Sequence, residues 1–294
     1  MRVLVTGASG FIGRHTLEPL RSQGFEVHGV SARGTGETPG MMWHTVDLHD
    51  RLQRRALLDA VRPTHLLHLA WSTEHGTFWT SPKNLQWVAT SLELLLEFVE
   101  IGGQRAVMAG TCAEYDWTYG CCSEVDTPRR PATIYGVAKN ALFEMSSTYA
   151  AVTGLSLAWG RVFFLFGPGE PITRFVPSVA SALLHGTEAR CTAGHQRRDF
   201  LHVRDVAAAF VALLRSDVRG AINIGSGSAH SLSDIAHRIA TSIGRPELLR
   251  LGALATSPDE PPLIVADVTR LRNEVGWCPT LSLDDGLADV IGSL

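Results

Sequence analysis

The 294-residue chain is nearly without lysine: Lys83 and Lys139 are its only two among 26 basic side chains, so the other 24 are arginine. With 29 acidic residues the net charge is −3, and the arginines are dispersed, which excludes the basic stripe that a nucleic acid backbone requires. The five cysteines, Cys112, Cys121, Cys122, Cys191 and Cys278, are odd in number and include no C-x-x-C pair, which argues against a disulfide framework or a zinc cage. Twelve histidines are scattered without H-E-x-x-H or a similar pattern, so no metal is expected. No apolar run is long enough to span a bilayer. The opening "MRVLVTGASG" passes straight into a strand-like run with no room for the regions of a signal peptide, so a reduced, cytoplasmic protein is expected.

What is present is an ordinary globular balance, 45% hydrophobic and 19% charged, in a chain long enough to remove about 75% of its unfolded surface from water. Short apolar or β-branched runs ("RVLVTG", "EVHGVS", "THLLHLA", "RAVMAG", "LSLAWGRVFF") alternate with helical patterns ("FIGRHTLEPLRSQG", "LQRRALLDAV", "NLQWVATSLELLLEFVEIG", "YGVAKNALFEMSSTYAAVTG"). Alternation of this kind predicts a doubly wound α/β domain, a parallel sheet covered on both faces. Pro19 interrupts the first helical pattern and should shorten or kink it. After Phe164 the turn-rich "FGPGEP" opens a less regular region, while "RDFLHVRDVAAAFVALLRS" and "GAINIGSG" return to the first pattern. The expected division is a dinucleotide-binding domain of residues 1–165 and 199–223, and a smaller lobe of residues 166–198 and 224–294.

In "VLVTGASGFIGRH", Gly7, Gly10 and Gly13 stand between a strand and an amphipathic helix. Glycine there permits a tight turn, lets the backbone approach a pyrophosphate, and allows close packing of helix on strand, with the helix amino terminus offering N–H donors. The spacing T-G-x-x-G-x-x-G resembles that of the extended short-chain dehydrogenase/reductases, the NAD-dependent epimerase/dehydratase family. The resemblance implies a Rossmann-like fold and a substrate lobe, with Phe11 and Ile12 over the dinucleotide, Asp47 and Leu48 at adenine, and Leu69 and Ala70 of "LLHLAW" beside the cofactor. The second strand ends at Ser31, where an NAD-specific member carries an acid for the ribose hydroxyls. Ser31 and Arg33 instead suit a 2′-phosphate, so NADP(H) is favoured and NAD(H) is possible.

One of the two lysines sits in "PATIYGVAKNALFEM", four residues after Tyr135. On a helix, positions i and i+4 share a face, so the pair is either an exposed amphipathic accident or two groups addressing one ligand. A phenol is a poor base at neutral pH, and a neighbouring ammonium and oxidised nicotinamide should lower its pKa. The resemblance adds Thr111 of "RAVMAGTCAEYDW" and implies a catalytic set of Thr111, Tyr135 and Lys139. Substrate contacts are expected at Trp71, Asn84, Cys112, Glu114, Phe164 and Arg198, of which the resemblance matches Arg198 to a diphosphate-binding arginine and Asn84 to an asparagine that holds the active-site strand; Trp71, His75, Phe78 and Trp79 form an aromatic insertion that shapes a pocket or packs between lobes.

Departures from the family pattern narrow the chemistry. Cys112 and Ala113 replace the Asp-Glu pair that follows the threonine in sugar-nucleotide 4,6-dehydratases, which argues against dehydration. Phe164 replaces an asparagine that contacts the sugar nucleotide. The expected function is hydride transfer at a ring carbon, C4, of a nucleotide-linked sugar, by a 4-ketoreductase. The alternatives are a 4-epimerase with retained NAD and a non-catalytic dinucleotide-binding regulator. The two long helices that open near Asn84 and Tyr135 imply, by the same resemblance, a homodimer.

Overall fold

The computed structural model describes residues 1–32, 34 and 40–294; Arg33, expected at the 2′-phosphate, lies outside the described residues. In chain order the strands are β1 (Arg2–Thr6), β2 (Glu26–Ser31), β3 (Met42–Thr45), β4 (His65–His68), β5 (Arg105–Thr111), β6 (Cys121–Cys122), β7 (Ser156–Val162), β8 (Phe164–Phe166), β9 (Ala189–Arg190), β10 (Arg197–His202), β11 (Gly220–Ile224), β12 (Ala229–Ser231), β13 (Leu249–Arg250) and β14 (Leu263–Ala266). The helices are α1 (Gly13–Ser22), α2 (Arg51–Val61), α3 (Lys83–Glu100), α4 (Ile134–Thr153), α5 (Phe175–Leu184), α6 (Val203–Arg215), α7 (Leu232–Ile243), α8 (Thr269–Asn273) and α9 (Leu283–Ser293).

Seven strands form one parallel sheet in the order β11-β7-β5-β4-β1-β2-β3. Its inner strands are apolar on both faces: Leu4, Val5, Leu66, Leu67, Ala106, Val107 and Ala158 are all fully buried, as a sheet with helices on each side demands. The order reverses between β1 and β4, and ligands of open α/β sheets bind in the crevice at the carboxyl ends of strands at such a reversal. The predicted Rossmann-like fold is the observed one. The edge strand β3 was not among the sequence-predicted strands; "MWHT" mixes apolar and polar residues at a partly exposed edge and carries a weak pattern.

A second, five-stranded sheet runs β12-β10-β14-β6, with β8 paired to β10. Beside it α5, α7 and α9 close a separate apolar core containing Phe166, Val176, Leu183, Ile235, Ile239 and Leu287. Sheet membership cuts across the expected boundary: β6 pairs with β14 although it belongs to the first 165 residues, and β10 lies in the second sheet. Pro19 does not end α1, which runs on to Ser22 with Leu17 and Leu20 buried as anchors. Among the described residues, no helix is long and apolar enough to cross a membrane.

Candidate active site

The glycine turn follows β1 at the crevice. Gly7 has φ of +67°, a conformation open to glycine, and a Cβ there would lie 2.8 Å from the Ala70 backbone nitrogen; at Gly13 it would lie 2.1 Å from the Gly7 carbonyl oxygen. Side chains at these positions would collide with the protein's own backbone, so the glycines let strand, turn and helix pack closely. The helix behind it starts at Ile12 without a side-chain cap and without an acid in its first turn, so its positive end faces the turn uncompensated. These features fit a dinucleotide diphosphate. The Ser9 hydroxyl donates to the Ser31 hydroxyl at 3.1 Å, which ties the turn to the end of β2. Asp47 is exposed and accepts the His49 backbone N–H at 2.9 Å, while Leu48 is core, clustered with Val30 and Ala70.

Thr111 ends β5, and α4 begins at a Thr133 cap whose hydroxyl accepts the Gly136 N–H at 3.1 Å. This brings Tyr135 close enough to Thr111 for the threonine hydroxyl to act on its phenol, and sets Lys139 one helical turn further on, donating to the Ala109 carbonyl at 2.7 Å. All three are buried. The Tyr135–Lys139 pair is therefore no exposed amphipathic accident.

Its electrostatics differ from the sequence expectation. Burial pushes the Tyr135 hydroxyl well above the ordinary phenol value, opposed by the Thr111 hydroxyl, and Lys139 is not among the groups that move it. Burial also pulls Lys139 down to about 7, with the Glu114 carboxylate pulling the other way. In the protein alone the tyrosine is a protonated phenol, because desolvation of its anion outweighs the neighbouring donors.

Two predicted substrate contacts are corrected by their surroundings. Glu114 is completely buried: it accepts from Arg161 Nε at 2.7 Å, Trp159 Nε1 at 2.9 Å and the Thr111 N–H at 2.9 Å, so its carboxylate is enclosed by protein partners. It closes the turn that carries Thr111. Asn84, 1% exposed, accepts from Trp71 Nε1 at 2.8 Å and donates to the carbonyls of Phe78 and Ser81 at 2.7 and 2.9 Å. It organises the aromatic segment rather than facing substrate.

That segment forms a wall around the tyrosine. Phe78 and Trp79 meet the Tyr135 ring edge-on at centroid distances of 5.0 and 5.7 Å, and the Tyr135 backbone N–H donates to the Trp79 carbonyl at 3.1 Å. His75 is exposed, and slight burial together with the charge of Arg174 lowers its pKa. Arg174, for which the sequence offers no signal, reaches over the Phe78 ring at 5.6 Å and is a cation acting on Tyr135. Cys112 is a packed thiol that burial pushes far up. Arg198 stacks over Phe164 at 5.5 Å, but it is buried and already bonded to the Glu260 carboxylate. His68, at the end of β4, is a structural imidazole bonded to Thr6 and Ser91 and held at about 3 by burial. Among the described residues, no group of three His, Cys, Asp or Glu side chains could hold a metal ion.

The depressed Lys139 has a measurable consequence for stability. Between about 7 and the free lysine value of 10.5 the unfolded chain holds a proton that the folded one lacks, so wild-type stability rises with pH across that window. Below it the full penalty of burying the ammonium persists. Lys139→Met removes this titration, so the wild-type minus variant difference in unfolding free energy should climb steadily from pH 7 to 10. Urea denaturation over that range checks it, and a flat difference would contradict the assignment.

Comparison with known proteins agrees with this fold. Residues 3–225 match the model of the NAD dependent epimerase/dehydratase family, and the chain belongs to that family. It is an enzyme of the nucleotide-sugar-modifying, NAD-dependent class. It is 26% identical to CDP-abequose synthase of Salmonella typhimurium over 99% of this chain and 98% of that one. It is 28% identical to dTDP-6-deoxy-L-talose 4-dehydrogenase (NAD(+)) of Aggregatibacter actinomycetemcomitans over 79% of this chain and 87% of that one. The crystal structure of Thermus thermophilus UDP-glucose 4-epimerase complexed with NAD superposes with a TM-score of 0.85, at 26% identity, covering 100% of this chain and 98% of that one.

Proposed function

We propose that this enzyme is a 4-ketoreductase of nucleotide-linked sugars, working equally as a 4-dehydrogenase in reverse, with NADP(H) preferred. The observation that carries the reading is the buried constellation of Thr111, Tyr135 and Lys139 at the carboxyl end of β5, beside a glycine turn shaped for a diphosphate. When bound, the nicotinamide nucleotide supplies the hydride. Gly7, Gly10 and Gly13 hold its diphosphate, Ser31 and Arg33 its 2′-phosphate, and Lys139 its ribose. Tyr135, protonated because burial disfavours its anion, donates its proton to the C4 oxygen as the carbonyl becomes an alcohol. Thr111 aligns that hydroxyl, and the phenolate left behind takes up one proton per turnover to restore the resting phenol. A protonated phenol in the resting enzyme suits net reduction, and the similarity to a 4-dehydrogenase supports C4 as the reacting carbon.

A second reading, 4-epimerisation with retained NAD, draws support from the full-length likeness to a UDP-glucose 4-epimerase. Incubation with nucleotide-linked 4-keto sugars and with UDP-hexoses, followed by reduced-nicotinamide absorbance and NMR of the products, separates the two. Net consumption of NADPH is the expected result; isomerisation without cofactor change would select the epimerase, and loss of water from C6 would overturn both. Calorimetric titration should find NADP(H) bound more tightly than NAD(H), with the preference lost in Arg33→Ala.

The lobe around α5, α7 and α9 would close over the sugar. The mutually packed α3 and α4 leave Leu85, Leu96, Val137, Met145 and Val152 exposed, a pattern that suits a homodimer formed through these helices. Light scattering should give twice 31.9 kDa, and Met145→Arg should give the monomer.

A further inference from the structure

Lys139 has three N–H donors on a flexible stem, and a lysine that serves a cofactor must aim one of them. One donor is fixed by the Ala109 carbonyl at 2.7 Å. The ammonium also lies 3.7 Å from the centroid of the Trp71 ring, within close cation–π range, and 6.0 Å from that of Trp159. The Trp71 indole is itself immobilised: Nε1 donates to Asn84 at 2.8 Å, and its face stacks on Trp87 of α3 at 6.1 Å. Its edge contacts the Tyr135 ring at 6.5 Å. Trp71 thus touches both members of the Tyr-x-x-x-Lys pair from a loop remote in sequence.

We propose that Trp71 is a positioning residue for Lys139, its indole face holding the ammonium so that the remaining donor is presented to the cofactor ribose. The inference rests on the reading of Lys139 as a cofactor ligand. The other groups around the ammonium do not supply this restraint. Glu114, from the turn after β5, acts on it through space while its oxygens bond Arg161, Trp159 and Thr111. His68, from the end of β4, is bonded to Thr6 and Ser91. Tyr135, on α4 itself, lies under the influence of Thr111 and is not a hydrogen-bond partner of the ammonium. Below about pH 7, where the amine carries its proton, an aromatic face in a site this dry restrains the cation strongly, because no water competes for it.

The near absence of lysine makes the contact directly observable. In protein labelled with 13C at the lysine ε-carbon, only Lys83 and Lys139 give signals, and Lys139→Met assigns them. The Lys139 methylene protons should be displaced upfield by the indole ring current, and Trp71→Leu should abolish that displacement. An unshifted Lys139 signal in the wild type would overturn the contact.

Function is tested by a double-mutant cycle on NADP(H) affinity, measured calorimetrically without substrate on variants whose circular dichroism matches the wild type. Trp71→Leu should weaken binding about tenfold, with Trp71→Phe intermediate because it retains a π face. In the Lys139→Met background Trp71→Leu should have little further effect, since the group it positions is gone. Equal tenfold losses in both backgrounds, or none in either, would overturn the proposal while leaving the reductase reading intact. Failure of the wild type to bind any nicotinamide nucleotide would overturn both.

Discussion

Tyr135→Phe should reduce kcat by about a hundredfold to ten-thousandfold while leaving cofactor affinity within about threefold of wild type. The substitution removes one oxygen from a side chain that is 9% exposed and packed edge-on against Phe78 and Trp79, so ring packing survives and only the proton donor is lost. The two directions of reaction should also differ in their pH dependence. Burial keeps the Tyr135 hydroxyl protonated well above the ordinary phenol range. Reduction therefore finds its acid ready at neutral pH, whereas alcohol oxidation must first remove that proton and should gain more from alkaline conditions. Steady-state rates in both directions from pH 6 to 10 provide the check. Equal turnover by the phenylalanine variant would remove Tyr135 from the mechanism.

Glu114→Ala should destabilise the fold by about 3–5 kcal/mol, the range for breaking a buried ion pair by removing one partner. Arg161 is completely buried, and its Nε bond to Glu114 at 2.7 Å is the charge-neutralising contact. Without the carboxylate the guanidinium keeps, among the described residues, one hydrogen bond, to the Tyr115 hydroxyl at 2.9 Å, and its place over the Tyr115 and Phe143 rings, while Trp159 Nε1 and the Thr111 N–H lose their acceptor. Glu114→Gln should fall between, since an amide oxygen can still accept from one or two of these donors. Chemical denaturation measures both; a loss below about 1 kcal/mol in the alanine variant would mean that Arg161 finds another partner or water. Activity should fall too, because the turn that carries Thr111 is closed by the same carboxylate.

These two residues mark where the sequence was informative and where it was not. Tyr135 was legible because its chemistry is written locally: four residues to Lys139 is one helical turn, and rarity of both residue types drew attention to the pair. The glycine turn was legible for the same reason, since the geometric demands on Gly7, Gly10 and Gly13 are imposed within one strand-turn-helix unit. Glu114 was misread as a substrate contact because its partners, Trp159 and Arg161, are distant in sequence and meet it only when β7 pairs with β5. Arg174 carried no local signal; its relevance comes from lying over Phe78 near Tyr135.

The sequence by itself determined the alternation of strands and helices, the parallel sheet, the glycine turn after β1 and the shared helix face of Tyr135 and Lys139, because each follows from periodicity, glycine conformation or helical spacing written over a few residues. Charge states and partners were decided by tertiary structure. Whether Tyr135 rests as phenol or phenolate, and whether Lys139 keeps its proton near neutral pH, depends on how completely water is excluded by Phe78, Trp79 and Trp71, which arrive from a separate loop. Desolvation is a property of the assembled surroundings, so no spacing within one helix could encode its outcome.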